Sequence, residues 1–141
     1  MEKYYCDSSV KSDAQWRHLL GLALEGADTV EFNALSKDYK SSLAEVLPGE
    51  IYEIIKTREG KIYQSGDIIR FHLSENVKQF LLKKEYANWK NYFIEDVCLI
   101  SKGKEILSTV SHENYIIMPL SEVQRQELNY KGFSFDFEWI T

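Results

Sequence analysis

Residues 89–120, WKNYFIEDVCLISKGKEILSTVSHENYIIMPL, decide the fold class because they predict three consecutive antiparallel strands. Three runs rich in aromatic and β-branched residues are separated by two short polar segments, residues 102–104 and 112–114. Runs and turns of this composition form β-hairpins, and consecutive hairpins form an antiparallel meander. The predicted strands span residues 89–101, 105–111 and 115–120.

The same periodicity analysis extends the prediction to both sides of this meander. In residues 133–139, Phe133, Phe135, Phe137 and Trp139 alternate with polar residues, which is typical of a strand with one buried face. Further strands are predicted over residues 29–35, 50–57, 61–64 and 67–73. Helical spacing predicts helices over residues 12–25, 74–86 and 121–130, and a shorter one over 36–47.

These elements predict a single α+β domain, residues 1–141, with a mostly antiparallel sheet and about three helices. A chain of this length buries roughly two-thirds of its unfolded surface, which is enough for a self-supporting core. The predicted inner faces supply that core: Trp16, Leu20, Phe32, Phe80, Phe93, Phe135, Phe137 and Trp139.

Composition and charge exclude several classes of protein. The chain has 17 basic and 22 acidic residues, a net charge of −5, whereas general nucleic-acid binders carry a basic face. Its first seven residues lack an apolar leader, and its apolar runs are far shorter than the roughly 20 residues that cross a bilayer. Cys6 and Cys98 are typical of reduced cytosolic thiols, although their spacing leaves a disulfide open. We therefore expect a cytoplasmic protein that binds neither nucleic acid nor membrane.

The sequence contains no motif for metal binding or covalent catalysis, so we expect no metal and no cofactor. Cys98 lies in an apolar run that raises the pKa of a thiol and makes it unreactive. His112 and Glu113 are the best candidates for an acid–base pair. Adjacent strand residues face opposite sides, however, so the simplest interpretation of these two residues is a polar turn.

Acidic residues are the remaining candidates for function, as a surface that meets a basic protein. Such groups often serve only solubility, but complementary charge also speeds association and excludes wrong partners. On the last predicted strand, two of them lie opposite the aromatic face. The candidate partner-binding residues are Asp136, Glu138, Glu31, Glu25, Asp28, Glu95 and Asp96.

Residues 89–139, which hold the meander with residues 111–115, a capped helix and the aromatic final strand, resemble small acidic immunity proteins of bacterial polymorphic and contact-dependent toxins. The resemblance implies a cytoplasmic, non-enzymatic α+β domain that binds and occludes a cognate toxin, here a basic, nuclease-like one. These families share no motif, so no residue role is carried over. Two alternatives stay open: an enzyme that uses residues such as His112 and Glu113, and an acidic anti-defence protein that mimics DNA.

Overall fold

A computed structural model describes residues 1–140, in which one eight-stranded antiparallel sheet is combined with four α-helices. The strands are β1 (Lys3–Asp7), β2 (Thr29–Ala34), β3 (Tyr52–Ile55), β4 (Ile68–His72), β5 (Ile94–Ser101), β6 (Lys104–Val110), β7 (Tyr115–Leu120) and β8 (Phe137–Glu138). The helices are α1 (Asp13–Leu24), α2 (Tyr39–Val46), α3 (Glu75–Lys83) and α4 (Glu122–Tyr130), with short 3-10 helices at Tyr86–Trp89 and Ser111–Glu113. The α+β class is confirmed, with four helices instead of about three.

The strand order is β3-β4-β2-β5-β6-β7-β1-β8, and the predicted meander β5-β6-β7 occupies its centre. The first strand of the meander begins at Ile94 and not at residue 89, because the preceding segment forms the 3-10 helix Tyr86–Trp89. Asn114 closes the β6–β7 connection in the left-handed conformation, with φ at 56°. Asparagine is one of the few non-glycine residues that adopts this conformation readily.

Serine caps explain where three of the helices begin. The side chains of Ser12, Ser74 and Ser121 each accept a hydrogen bond from a backbone N–H three residues further on. At Ser121 the side chain of Gln124 completes a reciprocal capping box. Such caps satisfy donors that the first helical turn leaves free, and they stabilise a helix by about 1 kcal/mol.

All four helices contribute buried residues to one face of the sheet, which we call the helix face, and this is where the main core lies. Within the predicted core, Trp16, Leu20, Phe32 and Phe135 are fully buried there. Phe80 and Phe93 are partly buried and pack against the same core. Sequence periodicity therefore located most of the core correctly.

The prediction of one long aromatic strand at residues 133–139 is wrong. The N–H of Asp136 donates to the carbonyl of Ser134, and the chain bends there, so that only Phe137–Glu138 pairs with β1. As a result Phe133 and Phe135 lie in the main core, whereas Trp139 packs against Tyr115 in a second cluster. Phe137 is 69% exposed and does not belong to the core.

Two further differences between prediction and structure concern segments whose sequence has no clear hydrophobic period. The strand predicted over residues 61–64 is absent, because residues 56–67 form an irregular segment over the opposite face of the sheet. We call this face the loop face. Strand β1 was not predicted, yet it lies between β7 and β8 and pairs with both.

Candidate functional site

The structure divides the predicted acidic partner-binding residues into exposed and buried groups. Asp136, Glu138, Glu25 and Asp28 are exposed. Three others are buried, at 0 to 2% exposure, so the expectation that they lie at the surface is wrong. These three are Glu31, Glu95 and Asp96.

The four exposed carboxylates do not form one continuous patch. Asp136 and Glu138 lie at β8, and Glu138 forms an ion pair of 3.2 Å with Lys3. Glu25 and Asp28 lie in the connection between α1 and β2. Strands β2 and β8 are five positions apart in the sheet, which is about 24 Å at ordinary strand spacing. The structure thus brings together two pairs and not a single acidic surface.

The pair at β8 is accompanied by exposed apolar side chains. Phe137 is 69% and Ile140 is 81% exposed, and both lie within two residues of Asp136 or Glu138. We call Asp136, Phe137, Glu138 and Ile140 the β8 surface. Sequence reasoning missed its apolar part, because the alternation in residues 133–139 assigned Phe137 to the core.

A buried ion cluster lies on the loop face and consists of Glu31, Glu105, Arg58, Lys61 and Arg70. Glu31 accepts hydrogen bonds of 2.7 to 3.1 Å from both arginines, and the Lys61 Nζ lies 3.5 Å from it. Arg58 also donates to Glu105 at 3.0 Å. The cluster attaches the segment 56–67 to β2, β4 and β6.

Both carboxylates of this cluster stay ionised. Burial by itself raises the pKa of Glu31, but hydrogen bonds from Arg58 and Arg70 and the charge of Lys61 lower that pKa below its ordinary value. Burial opposes ionisation of Glu105 as well, and hydrogen bonds, led by the one from Cys98, bring its pKa down. Because every charge has a partner, we interpret the cluster as structural.

Both cysteines are free and buried, and neither has the properties of a nucleophile. Burial raises the pKa of the Cys98 thiol to about 12, and its S–H donates to Glu105 at 2.9 Å. Burial likewise raises the pKa of Cys6 to about 11. A thiol attacks only as the thiolate, so these groups are poorly reactive in the folded protein.

We therefore expect both thiols to react with an aromatic disulfide reagent at pH 8 at least about 100-fold more slowly in the native protein than in urea. Absorbance of the released thiolate measures the rate, and a Cys6→Ser variant isolates Cys98. A fast native phase in that variant would contradict the structural assignment of Cys98.

His112 lies beside Glu95 and not beside Glu113, the predicted partner. Its Nε2 lies 3.0 Å from the Oε1 of Glu95, whereas Glu113 is exposed in the turn, so the pairing of His112 with Glu113 is wrong. Burial raises the pKa of Glu95, and the neighbouring charge of Asp96 adds to this effect. Asp96 itself accepts the N–H of Ser111 at 2.7 Å.

Glu95 and Asp96 are neighbours in a strand, yet their side chains do not alternate between the two faces of the sheet. The reason is that the backbone of Asp96 is left-handed, with φ at 58°. This conformation interrupts the strand geometry, so both Glu95 and Asp96 point into the protein. Asn91 and Asn114, at φ 65° and 56°, are also left-handed and lie near the same corner of the fold. Asparagine and aspartate adopt this conformation more readily than other non-glycine residues, so it marks an irregular backbone at this corner.

A cavity of about 370 Å³ opens beside this corner, between α1, the 3-10 helix Tyr86–Trp89 and the β6–β7 connection. We call it the aromatic pocket. Its volume falls within the range of small-molecule sites. The lining residues are Val10, Lys11, Trp16, Tyr86, Ala87, Trp89, Lys90, Val97, Thr109, Ser111, His112 and Asn114.

No protein-family model, curated protein or solved structure matches the chain. Within residues 1–140, no group of three or more His, Cys, Asp and Glu side chains is arranged to hold a metal ion. In that same part of the chain, none of the helices combines the length and the apolar character needed to span a bilayer. The β8 surface and the aromatic pocket are the two candidate features for function in residues 1–140.

Proposed function

We propose that the protein is a non-enzymatic, immunity-type inhibitor that binds a basic, nuclease-like toxin domain and occludes it. The observation that supports this proposal is the β8 surface at the edge of the sheet, where Phe137 is exposed on the loop face and Glu138, opposite Tyr5, is exposed on the helix face. The acidic net charge of −5 agrees with a basic partner.

Phe137 and Ile140 are the expected anchors of this interface. Interfaces obtain most of their affinity from a few apolar or aromatic side chains that become fully buried, surrounded by a polar rim. Phe137 lies on the loop face of the sheet, because its partner in β1 is Cys6, which faces that side. Its ring is therefore available to a partner without any change of the core.

The position of β8 adds a second means of binding. Among the described residues β8 pairs only with β1, so its other edge presents backbone N–H and C=O groups. A partner strand binds such an edge by extending the sheet. Because β8 has only two residues, side chains supply most of the contact and the backbone fixes its orientation.

Charge near β8 favours a basic partner. Three carboxylates, Asp136, Glu138 and Glu122, lie among two cations, Lys3 and Arg125, with the closest pairs at 2.8 to 4.0 Å. The local balance is one negative charge, within a protein of net charge −5. Complementary potentials of this kind act mainly on the rate of association.

Reversing both β8 carboxylates, Asp136→Lys with Glu138→Lys, is expected to slow association with the toxin domain about tenfold at low salt. The slope of the rate against salt should also decrease, because exposed charges are screened beyond about 10 Å at 0.1 M salt. Surface plasmon resonance against a basic toxin domain, sought first in the product of the neighbouring gene, measures both quantities. The toxin's activity, with and without the protein, reports inhibition.

The double variant Glu25→Lys with Asp28→Lys is the matched control, since it changes net charge equally at a site about 24 Å away. We expect it to change association much less. Phe137→Ala should instead speed dissociation, because it removes an anchor and not a charge. Equal effects of the two reversals would exclude the β8 surface, and a wild-type protein that neither binds nor inhibits the basic domain would contradict the proposed function.

A further inference from the structure

At the β8 end of the sheet, the loop face carries four aromatic side chains that are exposed or half-buried. Phe137 is 69% exposed, and it lies on this face because its partner in β1 is Cys6. The other three are half-buried and pack against the second cluster, which contains Cys6. We call these four side chains, Tyr4, Tyr115, Phe137 and Trp139, the loop-face patch. Through Phe137 the patch is continuous with the β8 surface.

The opposite face of the sheet is covered at this end. Helix α4 packs over β7 there, and the guanidinium of its Arg125 lies 5.1 Å from the centroid of the Tyr5 ring. On the loop face, Ile62 is the apolar side chain by which the segment 56–67 reaches the second cluster. The loop-face patch thus lacks the cover that α4 provides on the helix face.

The contact between Arg125 and Tyr5 shows which group an aromatic ring at this edge binds. Aromatic rings attract cations over their faces, and the planar guanidinium of arginine also stacks on them. Tyr4 precedes Tyr5 in β1 but faces the opposite side, where it belongs to the second cluster. Within residues 1–140, none of the four rings of the loop-face patch has a lysine or arginine side chain over it. The patch therefore offers to a partner the contact that Arg125 makes with Tyr5.

We propose that arginine side chains of the toxin domain stack on the loop-face patch, so that the toxin covers the loop face of the sheet. This inference rests on the proposed function and identifies the partner's contact residues by their chemistry. A basic domain presents such side chains, and aromatic residues are enriched where interfaces obtain most of their affinity. The carboxylates of the β8 surface act on the association rate over a distance, so they do not need to lie under the toxin.

The double variant Phe137→Leu with Trp139→Leu tests the rings, because leucine keeps an apolar side chain but removes the aromatic face. We expect it to bind the toxin domain about tenfold more weakly in surface plasmon resonance, mainly through faster dissociation. Tyr130→Leu is the matched control, since Tyr130 is 94% exposed and lies on α4 at the helix face. Its replacement should leave binding unchanged. Circular dichroism and urea denaturation check that both variants are folded.

Two measurements on the wild-type protein do not depend on the folding of a variant. In ¹H–¹⁵N spectra, saturation with the toxin domain should shift the indole resonance of Trp139. The indoles of Trp16 and Trp89, which are 0% and 2% exposed, are the internal controls and should not shift. Toxin arginines that react with phenylglyoxal in the free toxin should be protected in the complex, as peptide mass spectrometry measures.

Several results would overturn this inference while the wild-type protein still binds and inhibits, so that the proposed function stands. These are unchanged binding of the double variant, an equal loss of binding in Tyr130→Leu, an unshifted Trp139 indole in the saturated complex, and no protected toxin arginine. A dimer of the free protein that the double variant abolishes would assign the patch to a second copy of this chain and would also overturn it. A wild-type protein that neither binds nor inhibits a basic toxin domain contradicts the proposed function itself, and with it this inference.

Discussion

Replacing Phe135 with alanine is expected to lower the free energy of unfolding by about 3–5 kcal/mol. Phe135 is 0% exposed, and its ring packs with Phe133 at a centroid distance of 6.1 Å. The substitution removes buried apolar surface and leaves a cavity that the neighbouring side chains fill only in part. Since small domains are stable by about 5–15 kcal/mol, this loss is a large share of the total. Urea denaturation followed by circular dichroism measures it.

Phe137→Ala is the matched control for this prediction. The two phenylalanines are two residues apart in sequence, but Phe137 is 69% exposed, so its truncation should cost less than about 1 kcal/mol. If Phe137 were buried, as the alternating sequence pattern predicts, its truncation would cost about 3–5 kcal/mol. Similar losses for the two variants would show that the bend at Asp136 is placed incorrectly.

Glu31→Ala is expected to destabilise the protein by about 3–5 kcal/mol as well, for an electrostatic reason. Glu31 is 0% exposed and is the shared partner of Arg58, Arg70 and Lys61. Its removal leaves three cations close together with only Glu105 to compensate them. Glu59→Ala, at an exposed position of the same segment, should have little effect.

The buried ion cluster also predicts how stability depends on pH. The folded-state pKa values of Glu31 and Glu105 are lowered from the ordinary value of 4.5. Their contribution to stability is therefore complete above about pH 4.5 and is lost as the pH falls through the folded-state values. Urea denaturation at a series of pH values should show this acid-side loss, and Glu31→Gln should make it shallower. An unchanged slope in the Glu31→Gln variant would contradict the assignment of the titration to this cluster.

Local patterns in the sequence predicted the helices and strands in which buried and exposed residues alternate at a regular spacing. The meander and the four helices follow from periodicity and from serine caps that act within three residues. The prediction of the final strand was wrong because of one hydrogen bond, from the N–H of Asp136 to the carbonyl of Ser134. The bend at this bond changes which face of the sheet receives the next aromatic residue. Strand β1 was not predicted because it forms by pairing with residues 116–120, which are distant in the sequence.

The candidate sites were predicted less completely than the fold, because their contacts are long-range. The alternating pattern of its strand predicts Glu31 to be a surface carboxylate, whereas its burial depends on Arg58, Lys61 and Arg70, which lie 27 to 39 residues away in the sequence. Alternation along a strand predicts that Glu95 and Asp96 face opposite sides of the sheet, but the left-handed backbone at Asp96 interrupts this alternation. Whether a polar residue on the outer side of a short strand is exposed or buried depends on which segment covers that side of the sheet.

The position of β1 has a consequence for the order in which the molecule acquires its structure. Residues 3–7 pair with residues 116–120 of β7 and with residues 137–138 of β8, so both neighbours of β1 lie more than 100 positions away in the sequence. Until these contacts form, β1 has no partner in the sheet. Closing contacts of such long sequence separation is slow, so we expect the pairing of β1 to be among the last steps of folding.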